Sequence, residues 1–524
     1  MSTSKFSLGS ENQAVARSAT VISLATFASR ILGFIRDVVI ARLFGVYLYA
    51  QAFVIAFRIP NLFRDFVGEG ASNAAVVPVL SEYNLKRSKQ EFWELANILL
   101  NLLLVILSVI TILGIIFSPL IVRIIAPGFI AFPEKLEATI RLNRIIFPYI
   151  LLIGLAAYAM AILNSLKNFT VSAFAPCLLN IAIIICALFF GEGIKGLATG
   201  ILLGGLLQLV VQVPVLYKKG FHFKFIFDFN HPGLIQVRRL MLPRLASSSI
   251  YQLNNFVDSI FGSLIAIVGD GGVAVLYFAY RLIQFPIGIF SNALAQAILP
   301  TLSTQVLEDN QDNLKVTLSW GLRAVFFAML PASAVFMVLA HPLVSVLFGG
   351  GRFDFNSGIL TSNALFFYSI GLSAYGGTKI LQSCFFALKD TATPAKIAFL
   401  ALIMNIVFNA ILMFPLKIGG LALATSISGI ITFLLLFFIL SKRLGGFGER
   451  RIFSSFLRIL AASFCMAAVC FLVNRALNLG WALFCGALSY IVFCFLFGVA
   501  ELKEFVHWLA LKNLRQSLWS NRRK

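Results

Sequence analysis

Four arginines stand where a cation is expensive. Arg30 and Arg36 lie in the first long apolar stretch, Arg64 in the second and Arg281 in the eighth, in company with Asp37, Arg42, Arg58, Asp65 and Glu69. A charged side chain at the centre of a bilayer costs roughly 3 kcal/mol or more on insertion scales, so such residues face a protein interior or a wet cavity. The guanidinium is a planar fork that donates to two oxygens at once, and the chemistry that fits it is capture of a phosphate or diphosphate. Within these three stretches cations outnumber carboxylates, as expected opposite an anionic substrate. The alternative is internal pairing: Arg30 or Arg36 with Asp37 or another acid, Arg64 with Asp65 or Glu69, and Arg42 reaching to the interface.

Helical spacing refines this. Arg30, Gly33 and Asp37 fall at i, i+3 and i+7, on one face, with Gly33 open to close approach by a neighbour. Arg36 points about 120° away from Arg30 on an ideal helix, so a bend at Gly33 is needed for both to line one cavity. Pro60 removes a backbone hydrogen bond between Arg58 and Arg64, and a kink there would turn Arg64 inward. Lys379 is a further cation in the tenth stretch. A second constellation, Asp258 with Asn405, Asn409 and Thr425, offers hard oxygens to a small cation, for which Na+ is the natural candidate. The same Asn and Thr side chains also serve simply to hydrogen-bond across packed helices.

The elements that must position these residues are membrane helices. Of 524 residues 60% are hydrophobic and only 12% charged, and the mean hydropathy is +0.93, outside the range of soluble domains. The net charge of +21 is dispersed among apolar stretches, which argues against a nucleic-acid partner. Seven cysteines show no CxxC pair or metal spacing and read as small core residues. Charges inside the first stretch argue that it stays as a helix rather than leaving as a signal peptide. The glycine-rich run GGGRFDFNSG at 349–358 lacks the ending of a phosphate loop and reads as a tight external turn. His222, His231, His341 and His507 form no cluster, and HExxH is absent.

The length rule gives an all-α integral membrane protein of about fourteen transmembrane helices. Loops after even-numbered spans carry Lys86, Arg87 and Lys89, then Lys218, Lys219, Lys224, Arg238 and Arg239, then Lys442, Arg443, Arg450 and Arg451, which places both termini in the cytoplasm. AFRIPNLF at 56–63 leading to VPVLS at 77–81 is echoed by AYRLIQF at 279–285 leading to LPTLS at 299–303. The echo lies six spans on, so two six-helix lobes related by a pseudo-two-fold axis along the membrane normal are expected, plus two C-terminal helices. The expected layout is a cytoplasmic tail (1–18), an N-lobe (19–217), a basic cytoplasmic linker (218–239), a C-lobe (240–441), a final helix pair (442–508) and a basic cytoplasmic tail (509–524).

SRILGFIRD at 29–37, FRIPNLFR at 57–64, EGASNAAVVPVLSEY at 69–83, FPYILL at 147–152, FAPCLLN at 174–180 and YRLIQFPIG at 280–288 together resemble the MurJ/MviN family of the multidrug/oligosaccharidyl-lipid/polysaccharide exporter superfamily. The resemblance runs from about Ala25 to the last spans. It implies a flippase of the bacterial inner membrane, not an enzyme, that moves the peptidoglycan precursor lipid II outward by alternating access for cell wall biogenesis and cell shape. It implies that Arg30, Arg36, Arg64 and Arg281 line the cavity, with Ser29, Gly33, Asp37, Arg58, Pro60, Asn61 and Glu69 around them. It implies a groove for the lipid tail on the last two spans, and strengthens Na+ at Asp258, Asn405, Asn409 and Thr425 as coupling ion. No other cofactor is expected; the partners are lipid II and membrane lipids, the protein is a monomer, and cell-wall synthesis proteins are candidate contacts. Gln51, Tyr280 and Gln284 replace acids common in the family and put a proton relay through them in doubt. A drug or cation antiporter of the same superfamily would want an acidic cavity, and a membrane enzyme acting on prenyl-diphosphate lipids would want paired carboxylates or a metal cluster.

Overall fold

The computed structural model describes residues 3–64, 75–191, 193–502 and 504, with the side chains of 3–19, 63–64 and 242–252 excepted. Among the described residues the regular structure is helical, apart from one isolated bridge between Gly350 and Phe353. The chain divides into two compact units, Met1–Ala274 with Phe348–Ser357, and Val275–Leu347 with Gly358–Lys524.

The first unit is built from α1 (Thr3–Phe44), α2 (Leu48–Arg64), α3 (Val77–Lys86), α4 (Lys89–Ile116), α5 (Ser118–Ile125), α6 (Pro133–Ile146), α7 (Tyr149–Ser165), α8 (Thr170–Phe190), α9 (Ile194–Val210), α10 (Val213–Lys218), α11 (Pro232–Gly262) and α12 (Ile265–Val268). α8 lies along both α1 and α9, and α7 packs on α2, α3, α4 and α9. α4 starts where the sequence S-x-x-E dictates: Ser88 Oγ accepts from Glu91 N–H at 3.2 Å and Glu91 Oε1 accepts from Ser88 N–H at 3.4 Å, satisfying two orphan donors. The linker expected at 218–239 is extended only around 221–228; from Pro232 its residues are the opening turns of α11, which packs on α3, α4 and α5. Proline at that position needs no donor, which favours starting the helix there.

The second unit takes most of α13 (Gly272–Pro286), a π-helical turn (Ile287–Ser291), α14 (Asn292–Leu307), α15 (Gln311–Val338), most of α16 (Ala340–Phe348) and of α17 (Phe355–Ile370), α18 (Leu372–Ala387), α19 (Ala392–Leu444), α20 (Glu449–Ala476) and α21 (Leu479–Leu496). α15 is its spine, in contact with α14, α18 and α20, and α20 pairs with α21.

Nine stretches among the described residues are long and apolar enough to cross a membrane. One of them, Ala392–Leu444, is interrupted by the non-helical backbone of Lys417 (φ 52°, ψ −127°), two residues after Pro415, and so holds the two spans expected at 394–414 and 418–441. The expected spans that miss the criterion include the first, which carries Arg30, Arg36 and Asp37, and the tenth, which is divided at Gly371 into two helices of 16 residues.

Candidate functional site

On α1 the alternation of exposed and buried positions decides what each charge can do. Arg36 and Asp37 are buried, at 5% and 1% exposure. Arg36 Nε and Nη2 both donate to Asp37 Oδ1, at 3.0 and 2.8 Å, while Nη1 donates to Asn180 Oδ1 on α8 at 3.0 Å. Asn180 Nδ2 in turn donates to the Ser29 carbonyl at 3.2 Å, and the guanidinium lies 5.8 Å from the centre of the Phe57 ring. The group is a knot in which each charge has an opposite charge or dipole, the condition under which a buried ion is tolerable. Asn180 was not singled out from the sequence; a lone amide in an otherwise apolar span was the available signal.

Arg30 differs in every respect. It is exposed and has no hydrogen-bond, ion-pair or ring partner among the described residues. α1 runs as one helix through Gly33, where an added Cβ would meet the Asn180 side chain at 3.7 Å, an ordinary contact. Arg30 and Arg36 therefore present their charges to different surroundings.

On α2, Arg58 Nη1 donates to the Asn255 carbonyl and to Ser259 Oγ, which ties α2 to α11. Pro60 is buried, and α2 continues past it to Arg64. Asn61 Oδ1 is buried without a hydrogen-bond partner among the described residues. The side chain of Arg64, and Asp65 and Glu69 altogether, lie outside the described residues.

At the end of the first unit where α1 turns into α2, polar groups converge. Asp270 accepts from Gln51 Nε2 and its own neighbour Gly271 N–H, at 2.8 and 2.7 Å, and from Lys135 Nζ, whose stem lies against Phe129 and Phe132. The glycine-rich run forms a turn against the same end: Arg352 N–H donates to the Arg42 carbonyl at 2.8 Å. Gly351 has φ +60°, and a Cβ there would sit 2.3 Å from that same carbonyl, so both conformation and space call for glycine. Asp354 accepts from Ser357 N–H and Oγ and faces Tyr47 OH at 3.4 Å. The Ser357 hydroxyl holds the Asp354 carboxyl below its ordinary range, and partial burial raises the Tyr47 phenol.

In the second unit, Arg281 Nη2 donates to Tyr277 OH at 3.0 Å and Nη1 to Gln284 Oε1 at 3.3 Å, with the guanidinium 5.0 Å from the centre of the Tyr277 ring. Arg323 is buried and paired with Glu501, which also accepts from Ser455 Oγ at 2.9 Å. Among the described residues no three His, Cys, Asp or Glu side chains converge.

The sequence profile of the family described as "Lipid II flippase MurJ" matches residues 40–492. The chain is 34% identical to the probable lipid II flippase MurJ of Buchnera aphidicola subsp. Acyrthosiphon pisum over 501 residues, 92% of this chain and 98% of that one. It is 33% identical to the lipid II flippase MurJ of Burkholderia cenocepacia over 435 residues, 82% of this chain and 84% of that one. The chain belongs to the MurJ family. A solved structure described as lipid II flippase MurJ in an inward closed conformation superposes with a TM-score of 0.77 at 27% identity, covering 93% of this chain and all of that one. An inward-facing multidrug-resistance MATE transporter of the MOP superfamily shares the fold, with a TM-score of 0.67 at 18% identity over 80% of this chain and 96% of that one.

Against this MurJ framework, the positions where an acid was expected acquire a reason. Gln51 donates to Asp270, which a carboxylate could not do without a proton. Gln284 accepts from Arg281, and Tyr280 packs on Tyr368 with ring centres 5.5 Å apart. In the expected cation set, Asn409 Nδ2 donates to Asn405 Oδ1 at 2.9 Å and Asn405 Nδ2 to Thr425 Oγ1 at 3.2 Å. All three are buried, while Asp258 is half-buried on α11 in the other unit. Lys379 is held within the second unit on α18.

Proposed function

We propose that this MurJ-family chain translocates lipid II, undecaprenyl-diphosphate bearing a disaccharide-pentapeptide, from the inner to the outer leaflet of the bacterial cytoplasmic membrane. It acts as a transporter and not as an enzyme. The observation within the chain that carries the reading is Arg30, an exposed cation on α1 without a partner among the described residues, flanked by the exposed side chains of Phe27 and Ile31. A guanidinium beside exposed hydrocarbon suits an amphiphile with a diphosphate head and a prenyl tail. Arg64 and Arg281 add charge to the same task, and the Arg36 knot fixes α1 on α8 so that Arg30 is presented at a set depth.

The cycle admits the head from the cytoplasm, closes behind it and opens outward while the tail stays in lipid, the last two helices offering its groove. An inside-negative potential favours outward movement of the diphosphate by about 2.3 kcal/mol per charge per 100 mV. Na+ is the proposed coupling ion. Asn409 Oδ1 is buried without a partner among the described residues, an oxygen such an ion would use, with Asn405 and Thr425 as further oxygen ligands within the same unit. The cationic loops after even-numbered spans support a cytoplasmic position for both termini. The protein works as a monomer, with cell-wall synthesis proteins as candidate contacts.

Purified protein should bind lipid II, and Arg30→Ala should weaken binding about tenfold, the loss of one charge-assisted contact. Unchanged binding in Arg30→Ala, Arg36→Ala, Arg64→Ala and Arg281→Ala alike would end the cationic-site reading. Flipping by reconstituted protein that ignored Na+ would remove the ion from it.

A further inference from the structure

Between α10 and α11 the chain reads Phe221-His222-Phe223-Lys224-Phe225-Ile226-Phe227-Asp228-Phe229, an aromatic at every second position. Residues 221–228 are extended, with a turn beginning at Phe229, and what they lie on is the side of a helix. Asn97 and Asn101, both buried and one turn apart on α4, supply the hydrogen bonds a neighbouring strand would give. Asn97 Oδ1 accepts from Lys224 N–H at 2.8 Å and its Nδ2 donates to the His222 carbonyl at 3.1 Å. Asn101 Nδ2 bridges the Lys224 and Ile226 carbonyls at 2.8 and 3.0 Å. Ile226 packs on the core formed by α3, α4 and α7, while Phe223, Phe225, Phe227 and Phe229 are 50%, 72%, 41% and 66% exposed.

The depth of this aromatic edge follows from α4. Its 28 residues span about 42 Å, whereas hydrocarbon is about 30 Å thick. The uninterrupted apolar face, with Val105, Ile106, Val109, Ile112, Leu113 and Ile116 exposed, lies beyond Asn101, and the charged turns Lys89–Glu94 lie before Asn97. The Asn97–Asn101 turn is therefore at the membrane boundary. Exposed Lys218 and Lys219 at the end of α10, and exposed Lys224 within the stretch, have no carboxylate partners among the described residues.

We infer that residues 221–229 form an interfacial anchor in which Phe221 is held in the core and Phe223, Phe225, Phe227 and Phe229 enter the headgroup region of the leaflet on this side, with Lys218, Lys219 and Lys224 set against anionic headgroups. Apolar edge, cationic flank and continuity with the lipid face of α4 point to an anionic lipid surface as the occupant. The inference is independent of what the protein transports.

The test uses the full chain with Phe225→Trp in phosphatidylethanolamine vesicles, with or without phosphatidylglycerol, whose acyl chains carry bromine near the headgroup. Emission of the added indole, taken as the difference from the parent, should be blue-shifted and quenched by about half, as for an aromatic at the interface. The quenching should deepen with phosphatidylglycerol, and Lys218→Gln, Lys219→Gln and Lys224→Gln together should abolish that dependence. A water-like, unquenched indole in both vesicles would overturn the anchor and leave the free strand edge to solvent or to another protein. Equal quenching with and without phosphatidylglycerol would overturn the anionic partner.

Discussion

Arg323 in the second unit and Arg30 in the first are both arginines within long helices of a membrane protein, and they have opposite circumstances. Arg323 is sealed in the interior against Glu501, with the Ser455 hydroxyl on the same carboxylate. Arg30 is exposed, with no counter-charge among the described residues. Arg36, six residues from Arg30 on the same helix, sides with Arg323: its charge is met by Asp37 and Asn180. A cation inside a span is thus no signal of a substrate by itself. Burial with an acid makes it architecture, because desolvation and attraction are balanced within the protein. Exposure without an acid leaves a charge whose partner has to come from outside.

This contrast can be broken by experiment. Arg323→Ala should have the largest effect, lowering stability by about 3–5 kcal/mol because Glu501 is left charged and buried; Arg323→Met combined with Glu501→Leu should recover most of it. Thermal unfolding of the purified protein reads both, and an unshifted midpoint for Arg323→Ala would remove the distinction. Asp37→Asn, which keeps the shape and deletes the charge facing Arg36, should cost about 3 kcal/mol, with lipid II binding by the folded fraction retained. Arg30→Ala should do the reverse: unfolding within about 0.5 kcal/mol of the parent and binding weakened tenfold. If Arg30→Ala proves as unstable as Asp37→Asn, Arg30 belongs with the architecture.

The smallest effect belongs to an exposed carboxylate. Asp354 has its folded-state pKa lowered by the Ser357 hydroxyl and N–H, so its contribution is complete above the ordinary carboxylate pKa of about 4 and is lost as pH falls through the lower, folded-state value. Amide exchange of residues 350–357 should be flat from neutral pH to about 5 and accelerate only below about 4, after correction for intrinsic rates. A transition near neutrality would assign the pH response to another group.

Hydropathy made the helical class legible, and it gave the spans ending near Ile116, Phe190 and Val338, because bilayer thickness imposes length directly; the family was legible in ordered motifs such as SRILGFIRD at 29–37 and FRIPNLFR at 57–64. The break at Lys417 was legible as a gap between the spans expected at 394–414 and 418–441. Charges could be located but their partners could not. Arg36 meets its neighbour Asp37 and also Asn180, 144 positions away; Gln51 meets Asp270, 219 positions away. Such pairings are properties of the packing of α1 on α8 and of the loops around Asp270, and no local spacing encodes them. The strand-like stretch pinned by Asn97 and Asn101 was read only as a basic linker, since its hydrogen-bond partner is a helix side chain rather than a second strand. The side chain of Arg64, and Glu69 altogether, lie outside the described residues.

The separation between Arg36 and Asn180 also orders events during biogenesis. At roughly 5–20 residues per second, the ribosome needs about 7–29 s to add the 144 residues between them. Throughout that interval α1 has entered the translocon with no α8 to receive it. Asp37, made in the same instant as Arg36, is the counter-charge already at hand, and its adjacency lets a helix with a guanidinium leave the translocon before its eventual neighbour has been synthesised.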